Sequence, residues 1–211
     1  MNSLSLLVCL CVSLHLSQCV VVKTQYGLVR GSTLNFFSKD IHQFIGIRYA
    51  QPPIGELRFQ KPKSINKWNG IYDAMDNNPE ILCWQSNNTK YRIELMNEDC
   101  LRINIWAPKF SKTSGKLIPV MVWIHGGGFN SGSAYRYSYN GTVLATYDVV
   151  VVNFNYRIGN FGFLFSGDDK APGNVGLHDQ ILALKWVSDH WSCVMIYFLK
   201  VNLDLCLYDI L

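Results

Sequence analysis

Charge is what this sequence has least of: Asp, Glu, Lys and Arg together make up 16% of its 211 residues, where about 25% is usual for a soluble domain. The net charge of +4 is spread without any run of Lys or Arg, which excludes the basic footprint of a nucleic-acid partner. No grouping of His, Cys, Asp or Glu has metal-ligand spacing, so neither a metal nor another cofactor is implied. Internal repeats and low-complexity linkers are missing. So is any apolar run fit to span a membrane: the stretch from Leu4 to Leu16 is too short, and the one from Trp191 to Leu211 is broken by Lys200, Asn202, Asp204 and Asp209. Glycine, frequent in the middle of the chain, stops at Gly176. Nothing in the sequence sets an oligomeric state.

What is present begins with a targeting signal. Residues 1–19 read as a signal peptide, with a short apolar run followed by Ser17 and Cys19 at the −3 and −1 positions of a cleavage site before Val20. Its leading segment has no Lys or Arg and relies on the terminal amine; the alternative is a buried N-terminal helix. The signal implies secretion. Of the seven cysteines, Cys9, Cys11 and Cys19 would leave with it. Cys83, Cys100, Cys193 and Cys206 would remain in an oxidising compartment. There Cys83 and Cys100 can close a loop whose entropy is worth about 3 kcal/mol. Sequons at Asn87 and Asn140 fit the same route and mark both as candidate glycosylation sites.

The remaining chain reads as one domain. Val20 to Thr24 and Leu28 to Ser32, separated by Gln25-Tyr26-Gly27, suggest a hairpin, with a further short strand from Gln43 to Ile47. Tyr49 to Trp68 carries Pro52, Pro53, Gly55 and Pro62 and reads as an ordered loop. Asp73 to Asn97 is polar and irregular, and Leu101 to Ala107 alternates like a half-buried strand. Pro119 to Ile124 and Val149 to Phe154 are short, almost wholly apolar and β-branched, which suits strands covered on both faces in a parallel sheet. Between them, Ser138 to Tyr147 can supply a crossover helix. Asn174 can cap a helix running to about His190, with Leu177, Ile181, Leu184 and Val187 on one face. Trp191 to Leu211 has neither Gly nor Pro and no clear period.

The chemically informative segment is Trp123-Ile124-His125-Gly126-Gly127-Gly128-Phe129. A buried strand ends in three glycines, so the backbone can turn through φ values closed to other residues, and its amides can approach a ligand atom closely. Backbone donors aimed at a developing alkoxide form an oxyanion hole, and His-Gly-Gly-Gly after a strand is an oxyanion motif of lipases and esterases. Taken alone, a flexible glycine loop is the competing explanation.

Around it stand Phe44-Ile45-Gly46-Ile47-Arg48-Tyr49-Ala50-Gln51-Pro52-Pro53-Ile54-Gly55-Glu56-Leu57-Arg58-Phe59 and Asn97-Glu98-Asp99-Cys100-Leu101-Arg102-Ile103-Asn104-Ile105-Trp106. Further on come Asn155-Tyr156-Arg157-Ile158-Gly159 and Gly173-Asn174-Val175-Gly176-Leu177-His178-Asp179-Gln180. In order and spacing these segments resemble the type-B carboxylesterase/cholinesterase family, from about Val20 to His190. The resemblance implies an incomplete α/β-hydrolase fold, with small N-terminal antiparallel strands leading into a mostly parallel central sheet. It also implies that Gly127 and Gly128 are oxyanion-hole glycines. Cys83 and Cys100 correspond to the family's first disulfide, and Arg58 with Glu98, and Arg157 with Asp179, to its internal ion pairs. The substrate of the full-length parent would be a small carboxylic ester.

Two departures qualify the resemblance. Cholinesterases carry a Trp shortly before the Glu-Asp-Cys run, where it attracts choline by cation–π contact. Tyr91 to Asn97 has none, and Trp84 lies at the other end of the loop, which favours an ordinary carboxylesterase. The family's triad also follows in the order Ser, acid, His, with Ser in a Gly-x-Ser-x-Gly elbow, and no such pentapeptide occurs here. Ser192 has no flanking glycines, and nothing beside Cys193 or Cys206 would lower a thiol pKa. His42, His125, His178 and His190 do not read as bases.

The sequence therefore reads as residues 20–190 of such an esterase, truncated before the nucleophile and inactive by itself, with an unrelated apolar tail from 191 to 211. A non-catalytic adhesion or binding protein on the same fold is the alternative. Without the strand that should follow the Asn174–His190 helix, Pro119 to Ile124 and Val149 to Phe154 would lack neighbours and cover, and the chain should aggregate.

Overall fold

The computed structural model describes residues 18–75, 80–86, 92–109 and 118–190, and the backbone of Ile196–Phe198. The signal-peptide reading of residues 1–19 lies outside the described residues as far as residue 17, while Gln18 and Cys19 stand in the first strand, opposite Thr33 and Ser32; Asn87, Ser192, Cys193 and Cys206 also lie outside. The sheet begins at β1 (Gln18–Lys23), which pairs antiparallel with β2 (Leu28–Phe36). Thr24 closes their turn, its hydroxyl oxygen accepting from the Tyr26 and Gly27 amides. A tight turn with Phe37 and Ser38 at φ 49° and 60° leads into β3 (Lys39–Arg48). Both strands run longer than their apolar cores suggested, because the hairpin ladder extends past the last buried residue.

Next come β4 (Ile71–Asp73), parallel to the start of β2, and β5 (Arg102–Pro108), antiparallel to β3. The last three strands are β6 (Val120–Ile124), β7 (Val150–Phe154) and β8 (Ile196–Phe198). The order across the sheet is β1-β2-β3-β5-β7-β6-β8. β5 is antiparallel to β7, whereas β6 runs parallel to both β7 and β8. Antiparallel strands thus lead into a parallel portion, as in an α/β-hydrolase sheet.

Three helices complete the described fold: α1 (Thr142–Ala145), α2 (Gly159–Phe163) and α3 (Val175–His190). Alternate residues of β7 go to opposite layers. Val150, Val152 and Phe154 join Val120, Val122, Ile103 and Ile105 beneath Ala183, Trp186 and Val187 of α3. Val151 packs on the other face with Ile41, Ile45, Trp106 and Ala145 of α1. Both faces are covered, which is why β6 is wholly apolar and β7 is apolar but for Asn153, whose Nδ2 donates to the Ala134 and Tyr139 carbonyls.

Several expectations are corrected. β5 is covered on both faces, and its polar Asn104 is buried because it donates to Asn153 Oδ1 and accepts from the Gly46 amide. The crossover helix shrinks to α1, preceded by a single 3₁₀ turn at Tyr137–Tyr139. α2 has no counterpart among the expected elements. Asn174 contributes a carbonyl at the start of α3: it sits at φ 55° and accepts from the Leu177 and His178 amides at 3.0 and 3.3 Å.

The rotation of α3 also differs. Its buried face is Val175, Gly176, Asp179, Ala183, Trp186 and Val187, while Leu177 and Ile181 are 39% and 51% exposed. The cause is a buried charge, as Asp179 has to face Arg157 and the helix turns to allow it. Finally, β6 does not lack a neighbour. Ile196–Phe198 pairs with Val120–Val122, so the tail supplies a strand because a short apolar, β-branched and aromatic run can satisfy an open parallel edge.

Candidate oxyanion loop

Parallel strands place their C-terminal ends, where ligands bind in open α/β sheets, at one edge, and β6 leads there directly into His125. The His125 ring is buried and stacked on Tyr156, with ring centroids 4.5 Å apart. Tyr156 donates its hydroxyl to the His125 carbonyl at 2.9 Å. Burial pushes the His125 pKa down to about 4 and the Tyr156 phenol up to about 12. Both rings are therefore neutral at pH 7, and they serve as packing beneath the loop.

Gly126, Gly127 and Gly128 emerge from this root into solvent. Gly127 sits at φ 134°, and a Cβ there would lie 1.7 Å from the Ser131 carbonyl oxygen, so backbone packing excludes any side chain. Gly128 sits at φ 61° with open space around it, so its requirement is conformational alone. The Gly127 carbonyl accepts from the Asn130 and Ser131 amides, both at 3.1 Å, and the Gly128 carbonyl from Asn130 Nδ2 at 3.1 Å. The amides of Gly127 and Gly128 have no acceptor among the described residues. Two adjacent backbone donors on a solvent-facing turn can receive one anionic oxygen.

The loop's other stem is held by Gln85, which sequence reasoning did not single out, and by two residues of the Asn155–Gly159 motif. Gln85 Oε1 accepts from the Gly132 amide at 2.9 Å, and its Nε2 donates to the Gly132 carbonyl at 3.1 Å. Asn155 Oδ1 accepts from the Ala134 amide at 2.8 Å, and Gly159 donates to the Phe129 carbonyl at 2.6 Å. Asn155 and Gly159 could be read from that motif. A lone Gln two residues after a Cys offers no signal.

The remaining expected pairs are in place. Cys83 and Cys100 form a disulfide with a Cα separation of 5.0 Å. Arg58 grips Glu98 through Nε and Nη2 at 2.6 and 2.7 Å. Arg157 donates to Asp179 from its backbone amide at 3.0 Å, from Nε at 2.8 Å and from Nη2 at 2.7 Å. Burial raises the Asp179 carboxyl, and these three bonds pull it back only in part. Arg48 and Arg102 both bind Asp99, a network absent from the expected list. Asn140 is exposed, and its Oδ1 accepts from the Thr142 amide at 2.9 Å.

Histidines away from the loop have structural partners. His42 Nδ1 lies 2.9 Å from Thr33 Oγ1, and His190 Nδ1 lies 2.7 Å from the Trp186 carbonyl. Among the described residues no His/Cys/Asp/Glu cluster could hold a metal ion, and no helix is long and apolar enough to cross a membrane.

Residues 18–192 match the family model described as "Carboxylesterase family". Over 179 residues the chain is 44% identical to acetylcholinesterase 4 of Caenorhabditis briggsae, an alignment covering 80% of this chain and 29% of that protein. It is 43% identical over 184 residues to the acetylcholinesterase of Danio rerio, covering 81% and 28% of the two chains. With the cholinesterase of Mus musculus it shares 41% identity over 185 residues, covering 82% and 30%. The chain thus spans less than a third of the length of these curated relatives.

Proposed function

The chain belongs to the carboxylesterase family, and from that premise we propose that it carries the oxyanion-stabilising portion of a secreted serine esterase. The observation that carries this reading is the solvent-facing pair of amides at Gly127 and Gly128, at the C-terminal end of a parallel strand. In the complete reaction a serine activated by a histidine attacks the ester carbonyl. The negative charge that forms on the carbonyl oxygen is held by the two glycine amides and by one further amide following the nucleophile. Collapse releases the alcohol, and water then frees the acyl group. Each such donor contributes about 3 kcal/mol to the transition state. No metal or organic cofactor takes part.

The 211 residues contain no Gly-x-Ser-x-Gly, so this polypeptide by itself does not turn over esters. The nucleophile, acid and base belong to a longer product. The substrate class is a small carboxylic ester. Although the relatives above bear cholinesterase names, the stretch from Tyr91 to Asn97 has no Trp to attract choline, which favours a general carboxylic ester. The segment ahead of Gln18 directs the protein into the secretory pathway, where Asn87 and Asn140 accept glycans.

Sequencing transcripts across the codons for His190 tests the reading. The expected result is a longer product with Ser in a Gly-x-Ser-x-Gly elbow. A longer product with another residue in that elbow would overturn hydrolysis and favour a binding role.

A further inference from the structure

We propose that Gln85 is the positioning residue of the Gly126–Asn130 loop, an inference that rests on the assignment of Gly127 and Gly128 to the oxyanion hole. Gln85 is buried and stands two residues after the disulfide-bonded Cys83. Its side-chain amide matches both backbone groups of Gly132: Oε1 takes the N–H at 2.9 Å and Nε2 reaches the carbonyl at 3.1 Å. Nε2 also donates to the Cys83 carbonyl at 3.1 Å. Both Nε2 hydrogens and one oxygen lone pair are thereby used, which fixes the orientation of the amide.

Gly132 is the residue through which this grip reaches the donors. It sits at φ 134°, and a Cβ there would lie 2.3 Å from His125 Nδ1 and 2.5 Å from the Gly126 carbonyl, so its backbone packs directly on the root of the loop. Ser131, the preceding residue, donates to the Gly127 carbonyl at 3.1 Å and fills the space that a Gly127 side chain would need. The loop therefore has two fixed stems, His125 held by Tyr156 and Gly132 held by Gln85, with the exposed glycines arching between them. Freeing the second stem lets the turn at Gly127 open, and the two amides then lose their fixed positions.

Segment-resolved hydrogen exchange on the full 211-residue chain, corrected for intrinsic rates, tests this. In Gln85→Ala, residues 126–132 are expected to exchange about tenfold faster or more, while β5 and β7 keep their protection. Gln85→Glu keeps the acceptor for Gly132 N–H but at pH 7 turns a carboxylate towards two carbonyls, so it should match the alanine variant. Protonation of that carboxyl restores a donor, and loop protection should return on acidification in Gln85→Glu but not in Gln85→Ala. Unchanged loop exchange in Gln85→Ala, uniform acceleration across the chain, or no acid recovery in Gln85→Glu would each overturn the proposal. Because exchange does not depend on turnover, a missing elbow serine in the longer product would defeat the esterase reading and leave this result standing.

Discussion

A Cβ built on Gly127 would stand 1.7 Å from the Ser131 carbonyl oxygen, whereas one built on Gly128 meets nothing within 4 Å. The two neighbouring glycines thus serve different needs, which the repeated letter in the sequence hides. Gly127→Ala should destabilise the chain by about 3 kcal/mol or more through backbone displacement, and Gly128→Ala by about 1 kcal/mol, the cost of a left-handed alanine. Urea unfolding of the two variants checks the ranking; equal losses would contradict it. Asp179 gives a second test at this scale. Asp179→Ala leaves the Arg157 guanidinium buried without its partner, at a cost of about 3–5 kcal/mol. The exposed Arg58 should make Glu98→Ala much milder in the same assay.

At the scale of elements, α3 shows where a hydrophobic period misleads. Leu177, Ile181, Leu184 and Val187 make an acceptable stripe, yet Val187 alone of the four is fully buried. The helix obeys Asp179 and also Gly176, where a Cβ would lie 2.3 Å from the Arg157 carbonyl. Replacing Leu177 and Ile181 together by Gln should therefore change stability by less than about 1 kcal/mol. Ala183→Leu should cost about 1–3 kcal/mol by overpacking. Thermal melts decide between the two faces, and the reverse order would place the helix rotation in error.

Strands were more legible than helices. β6 and β7 announce themselves because strands covered on both faces are mostly apolar along their length, with Asn153 paired to Asn104 as the exception, and the β1–β2 hairpin shows in its Gly27 turn. The site divides in the same way. Gly127, Gly128, the disulfide and both ion pairs could be read from motifs. Gln85 acts through hydrogen bonds to backbone, which leave no pattern along the chain. β8 was missed because three residues are too few to show a period.

At the scale of the whole molecule, burial of histidine links the fold to pH. His125 titrates at about 4 when folded, and burial also lowers His42 and His190. An unfolded histidine takes up its proton near pH 6.5. Between these values the unfolded chain binds more protons, so stability is full above about pH 6.5 and falls as the pH drops towards 4. His125 alone accounts for about 3 kcal/mol of that loss. Asp179, raised by burial, opposes it at the acid end. Denaturation between pH 7 and 4 should show this slope, and His125→Phe, which keeps a ring against Tyr156, should flatten it. An unchanged slope in that variant would remove His125 as its source.

The whole-molecule account comes down to the proposal that these residues supply two backbone donors for a developing oxyanion but not the serine that attacks. The intact mass of the purified 211-residue chain after incubation with a serine-directed phosphonate tests it most directly. An unmodified mass is predicted, and a stoichiometric adduct on any serine would contradict it.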